Sequence, residues 1–223
     1  MPVITVKKST QSPYLSLRTA LWLYFVVLFG TASIIVALSQ TVDPAFLQLI
    51  IALVFPAGIT VVVIYRTRTD LSALIGRSPE IVSLLASVGV GFFLGGVALW
   101  LNFLIYNWLQ TNVGQLVPPL DSSVIVLSLI LQSVAIIPVC QGLLFWGVIN
   151  RSASGLGRLR NIILVAALFA MYALFTSVTN LGVTVIPSAF IVGVVASLTI
   201  IYTDSVWYAI IIAASQENVH SAS

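Results

Sequence analysis

One histidine, one cysteine and six carboxylates are the side chains of this 223-residue chain that could ligate a metal, attack a substrate or carry a proton near neutral pH. They are His220, Cys140, Asp43, Asp70, Glu80, Asp121, Asp204 and Glu217. A catalytic zinc draws about three protein ligands from His, Cys, Asp and Glu. A single His and a single Cys on different segments cannot provide them with nitrogen and sulfur. A carboxylate-only site suits a harder cation, but the six acids are scattered over loops and helix ends on both sides of the predicted membrane topology. A Cys-His pair is likewise out of reach, because Cys140 lies inside an apolar run and His220 in the polar tail. Intramembrane chemistry normally places an Asp, Glu, Lys, Arg or His within a spanning helix, and no apolar run of this chain contains one. The expectation from residue types alone is a protein with no catalytic residues, no metal and no obligate cofactor.

The elements that would position any site are membrane helices. Sixty per cent of the residues are hydrophobic, 7% are charged and the mean hydropathy is +1.14, which leaves too few polar residues to coat a soluble core. A spanning helix needs about 20 mostly apolar residues, and such runs lie near 19–39, 46–65, 82–109, 123–150, 161–178 and 183–203, with a shorter seventh near 205–215. The fold class is therefore all-α, a polytopic bundle of about seven spans in a single domain over 1–223. The first run is read as a retained helix, since it is long for a signal peptide and lacks a clear cleavage site. Lys7, Lys8 and Arg18 precede the first run, Arg66, Arg68 and Arg77 follow the second, and Arg151, Arg158 and Arg160 follow the fourth. Alternating spans put all nine on one side, which the positive-inside rule makes cytoplasmic. The amino terminus is expected inside and, with seven spans, the carboxyl terminus outside. This placement accounts for the formal charge of +3 without invoking nucleic acid. The stretch SASGLG at 152–157 reads as a flexible turn.

Small residues recur at four-residue spacing in two runs, Gly91 and Gly95 in one, Ala189, Gly193 and Ser197 in the other. Such stripes let helix backbones approach closely in lipid, either within the chain or at an interface with another subunit. Pro56, Pro138 and Pro187 fall within or at the edge of helices and each removes a backbone donor. The polar residues expected to be buried are neutral, namely Asn102, Asn107, Gln132, Gln141, Tyr172, Thr176 and Tyr202, and helix-to-helix hydrogen bonding accounts for them.

The fourth run contains Pro138-Val-Cys-Gln-Gly-Leu-Leu-Phe-Trp-Gly147, which resembles the Pro-x-x-Glu-Glu-x-x-x-Arg signature of the CPBP family, the CAAX-protease and bacteriocin-processing intramembrane metalloproteases. Pro138, Leu143, Phe145 and Gly147 match the frame. Gln141 and Gly142 stand at the two glutamate positions and Trp146 at the arginine. Leu168-Phe-Ala-Met-Tyr-Ala173 is similar to the second motif, Phe-x-x-x-His, with Phe169 kept and Ala173 at the histidine. Phe190 and Gly193 resemble the framing residues of the next motif. The segment from Ser205 to Ala214 resembles the closing motif, with Ala213 or Ala214 at the last histidine and Glu217 or Asn218 near its asparagine. The resemblance spans roughly 123–218 and implies a CPBP-like core there, preceded by amino-terminal helices in 1–122.

The family's glutamates and histidines activate water and bind metal, so the resemblance implies a pseudoprotease at Gln141, Gly142, Trp146, Ala173, Ala213 and Ala214. The expected role is a non-catalytic scaffold, assembly factor or accessory subunit that contacts membrane lipids and other integral membrane proteins of a larger complex, in a membrane expected to be the bacterial cytoplasmic one. An alternative is a binder of an apolar ligand (isoprenoid, pigment, quinone or lipid) in the vacated cavity. A third reading, an active intramembrane peptidase, ranks below both.

Overall fold

A computed structural model describes residues 15–38, 58, 74–113, 136–176 and 182–221 of the chain. The described residues are helical, with no strand beyond one isolated bridge. Helix α1 is Leu17–Leu38, α2 is Ile81–Val113, and α3 is Ile136–Gln141. From Gly142 to Ile149 the chain continues as a π-helix, then closes with a short α-helical turn, Asn150–Ser152, and a 3-10 turn, Ser154–Leu156. Helix α4 is Arg158–Thr176, α5 is Gly182–Thr203 and α6 is Val206–Ser221. Apart from residue 58, the second expected span, at 46–65, lies outside the described residues, as do residues 123–135 of the fourth, Pro56 and Gln132.

Three helical stretches among the described residues are long and apolar enough to cross a membrane, Leu17–Leu38, Ile81–Ile105 and Val185–Thr203. Helix α2, at 33 residues, is about 50 Å long. That exceeds the roughly 30 Å hydrocarbon core, so α2 must tilt or project from it. Helix α6 carries a shorter apolar stretch, Val206–Ser215, and runs on through Glu217 to Ser221. Pro187 is accommodated inside α5.

The bundle is built around α5, which packs along α4 and also touches α2 and α6; α2 lies mainly along α6, and α1 leans on α4 and the π-helix. Apolar periodicity explains the orientation of α1. Ala20, Tyr24, Val27 and Leu28 are buried in the core, while Trp22, Phe25, Val26 and Phe29 face outward. The Tyr24 hydroxyl donates to the Leu168 carbonyl at 2.8 Å, tying α1 to α4 from within the core.

Small residues set the closest approaches. A Cβ built on Gly91 would lie 2.8 Å from the Ile212 carbonyl oxygen, and one on Gly193 would lie 2.8 Å from the Ala166 Cα. These glycines admit α6 against α2 and α4 against α5. Gly95, Ala189 and Ser197 are buried as well.

One end of the bundle is clasped by polar contacts. Gly76 (φ 84°) and Asp204 (φ 53°) both take left-handed backbone conformations, and an isolated antiparallel bridge pairs Gly76 with Ser205. The Arg77 amide donates to the Asp204 carbonyl at 2.9 Å, and the Glu80 amide to the Tyr208 hydroxyl at 2.8 Å. Arg151 Nε donates to the Leu74 carbonyl at 3.1 Å, and its Nη2 approaches Asp204 Oδ1 at 3.4 Å. Loops around residues 77, 151 and 204 thus meet at one end.

Two expectations about burial are corrected. Tyr202 is 78% exposed and Asn107 is also exposed. Tyr202 lies one residue before the end of α5, where an aromatic ring with a polar tip suits the bilayer interface. Asn107 occupies the outward face of the far part of the long α2. The 152–157 segment is also more regular than its composition suggests, since it contains the 3-10 turn and ends at Gly157 with φ 87°.

Candidate functional site

The segment that holds the motif-like residues is wound as a π-helix of eight residues, Gly142–Ile149. One extra residue per hydrogen-bonded turn widens the helix, and such segments are frequent at functional sites. Gly142 opens the wide stretch, Gly147 lies within it, and both meet neighbours closely. A Cβ built on Gly142 would overlap the Ile210 side chain of α6, and one on Gly147 would come within 3.2 Å of Leu74 Cγ.

Between the two glycines the side chains are apolar and enclosed. Leu144, Phe145 and Trp146 are fully buried. Phe145 is the hub of an aromatic cluster, with ring centroids 5.9 Å from Tyr24, 5.2 Å from Phe169 and 5.4 Å from Tyr172. Trp146 lies 5.3 Å from Phe169 in a tilted pair. The indole has 0% exposure, and its Nε1 has no hydrogen-bond partner among the described residues. Gln141 is 8% exposed, and its Oε1 is also unpaired among them.

The remaining positions singled out from sequence surround this core. Ala173 is half-buried against it, Ala213 is buried inside it, and Ala214 is half-buried on α6. Methyl groups there offer neither a proton nor a lone pair. Glu217, Asn218 and His220 belong to the last turns of α6, and their side chains lie outside the described residues.

What can this arrangement do chemically? A Gln amide donates and accepts hydrogen bonds but does not exchange protons usefully near neutral pH. Cys140 is buried, and no group of three His, Cys, Asp or Glu side chains converges among the described residues. An amide, a glycine and an indole packed against Phe169 offer one carbonyl oxygen, fewer than the roughly three protein ligands that a catalytic zinc draws from His, Cys, Asp and Glu.

A family model for type II CAAX prenyl endopeptidase, Rce1-like, matches residues 123–216. Residues 123–216 carry an Rce1-like domain. The π-helix, the aromatic cluster and the alanines of α4 and α6 all fall inside it. No curated protein matches the chain, and no solved structure matches it.

Several contacts that shape this domain escaped the sequence reading. Ile210 closes over Gly142, and Asn161 Nδ2 donates to Asn150 Oδ1 at 2.6 Å in a buried pair. Alternating apolar residues give no hint of the first. Two asparagines eleven positions apart, across a tight turn, were the available signal for the second.

Proposed function

We propose that this chain is a catalytically silent relative of the type II CAAX prenyl endopeptidases, an integral membrane protein that serves a larger membrane complex as scaffold, assembly factor or accessory subunit. One observation carries the reading. Trp146 is wholly enclosed in the Rce1-like domain, in contact with Phe169, while Ile210 closes over Gly142. Apolar side chains therefore occupy the level at which the resemblance would put glutamate, arginine and metal. A buried charge there would cost several kcal/mol without a partner, and none of Gln141, Gly142, Ala173, Ala213 or Ala214 brings one.

The role in association rests on the outer surface. Helices α1 and α2 present Trp22, Phe29, Phe93, Trp100 and Phe103 outward, so the protein offers broad apolar faces to lipid and to other membrane helices. The topology belonging to this reading has seven spans, a CPBP-like core over 123–218 and a cytoplasmic amino terminus, and it is supported by the meeting of loops near Arg77, Arg151 and Asp204. The ligand-binding alternative draws less from the geometry, because Trp146 and Ile210 fill the core space in which that ligand would lie.

Metal analysis and a peptidase assay on the purified full-length protein test the catalytic half of this proposal. The expected result is substoichiometric zinc and no cleavage of a prenylated CAAX peptide. One equivalent of tightly held zinc together with chelator-sensitive cleavage would overturn it.

A further inference from the structure

Residues 74–80, just before α2, lie outside the Rce1-like domain and are fastened across one end of it. Leu74 is buried and sits over Gly147 of the π-helix, where a built Cβ would come within 3.3 Å of the leucine Cδ2. Arg151 holds the Leu74 carbonyl, and Gly76 bridges to Ser205. The Arg77 amide donates to the Asp204 carbonyl and the Glu80 amide to the Tyr208 hydroxyl. Gly147, Arg151, Asp204, Ser205 and Tyr208 all belong to the domain. One apolar plug and a row of polar contacts therefore join the segment to it.

Three features of this closed arrangement are relieved by opening it. Arg151 Nη2 is buried with no hydrogen-bond partner among the described residues, since it meets Asp204 Oδ1 as an ion pair only. Ser205 is fully buried, and its Oγ is likewise unpaired among them. Buried polar groups left without partners cost free energy that contact with water restores. Asp204 holds a positive φ, which a residue carrying a Cβ adopts at a cost. Water has access to this end, because Arg77 and the Asp204 side chain are exposed. The core beneath is held by apolar packing around Phe145 and Ile149, which gains nothing comparable from hydration.

We propose that residues 74–80 are a latch between the amino-terminal helices and the Rce1-like domain, closed in this structure and opening locally while the core of the domain stays folded. Opening withdraws Leu74 from Gly147, breaks the bridge to Ser205 and hydrates Arg151 and Ser205. Gly76 is the tightest point of the closed latch, because at its φ of 84° a Cβ would meet both the Asp204 carbonyl and Arg151 Nη2. The inference is independent of whether the domain is catalytic, since Gln141, Gly142 and Trp146 take no part in these contacts.

Thiol labelling of the full chain in mild detergent with a charged, water-soluble maleimide tests it, read site by site by peptide mass spectrometry. Ser205→Cys places a reporter under the latch, and the native Cys140, buried in the same domain, reports opening of the core. Position 205 is expected to label slowly, yet well before Cys140. Adding Tyr208→Phe, which deletes one bond of the latch, should speed labelling at position 205 about five-fold, the weight of one net hydrogen bond. Adding Gly76→Ala instead should speed it about ten-fold or more, the penalty for a side chain at left-handed φ. Cys140 labelling should stay unchanged in both. Labelling at position 205 that neither variant alters would overturn the proposal. So would labelling that rises together at both positions, because opening and unfolding would then be one event.

Discussion

Trp146→Ala is the substitution that probes the packed core of the Rce1-like domain most sharply. In water, a buried Trp→Ala change costs about 3–5 kcal/mol, the sum of lost transfer free energy and a cavity term. In a bilayer the unfolded reference remains in lipid, which is as apolar as a leucine side chain, so most of the transfer contribution cancels. The cavity term survives. Trp146 is enclosed on all sides by the π-helix and α4 neighbours, and a residual void on the order of 100 Å³ at about 24 cal/mol per Å³ gives about 2.4 kcal/mol. Trp146→Phe leaves a smaller void and removes the unpaired Nε1 donor, whose burial itself costs about 1–3 kcal/mol. Its net effect should be within about 1 kcal/mol of wild type. Reversible unfolding in mixed micelles, followed by circular dichroism, resolves the two variants. An alanine variant as stable as wild type would mean that the indole does not fill this core, and the packing argument behind the silent site would fail.

Gly142→Leu should accumulate poorly in membranes, because the new side chain meets Ile210, and Ile210→Ala in the same chain should restore accumulation, measured by immunoblot of membrane fractions. Gly193→Leu should destabilise the α4–α5 pair by about 1–3 kcal/mol through overpacking against Ala166, seen as a lower unfolding midpoint. Tyr24→Phe deletes the bond to the Leu168 carbonyl and should cost about 0.6–1.7 kcal/mol, the span found for hydrogen bonds between membrane helices. Asp204→Asn should change stability by less than about 1 kcal/mol, since that carboxylate is 64% exposed and solvent screens its pairing with Arg151; a larger loss would show that the ion pair governs the clasp.

Much of the scaffold was legible because a bilayer imposes one simple rule, about 20 apolar residues per span. Helix α1 begins two residues before the expected 19 and α5 one residue before the expected 183. The π-helix was not legible, because windows that register a period of 3.6 also accept a few residues wound at a wider pitch. Gly142 opens it and Gly147 lies two residues before its end, yet glycine has many other uses in membrane helices. The clasp was hidden for a different reason. It depends on left-handed Asp204 and on a bridge between residues 76 and 205, a sequence separation over which residue types alone carry no pairing information. Tyr202 and Asn107 were misjudged because hydropathy places a residue at a depth along its helix but says little about which way the side chain faces.

The central claim, that the protein acts by association, is tested most directly by affinity isolation from native membranes in mild detergent, with size analysis and mass spectrometry of the eluate. The account predicts a defined set of integral membrane proteins at fixed stoichiometry, recovered equally well with Trp146→Phe. Recovery of the chain alone, at the mass of a single lipid-bearing copy, would contradict it.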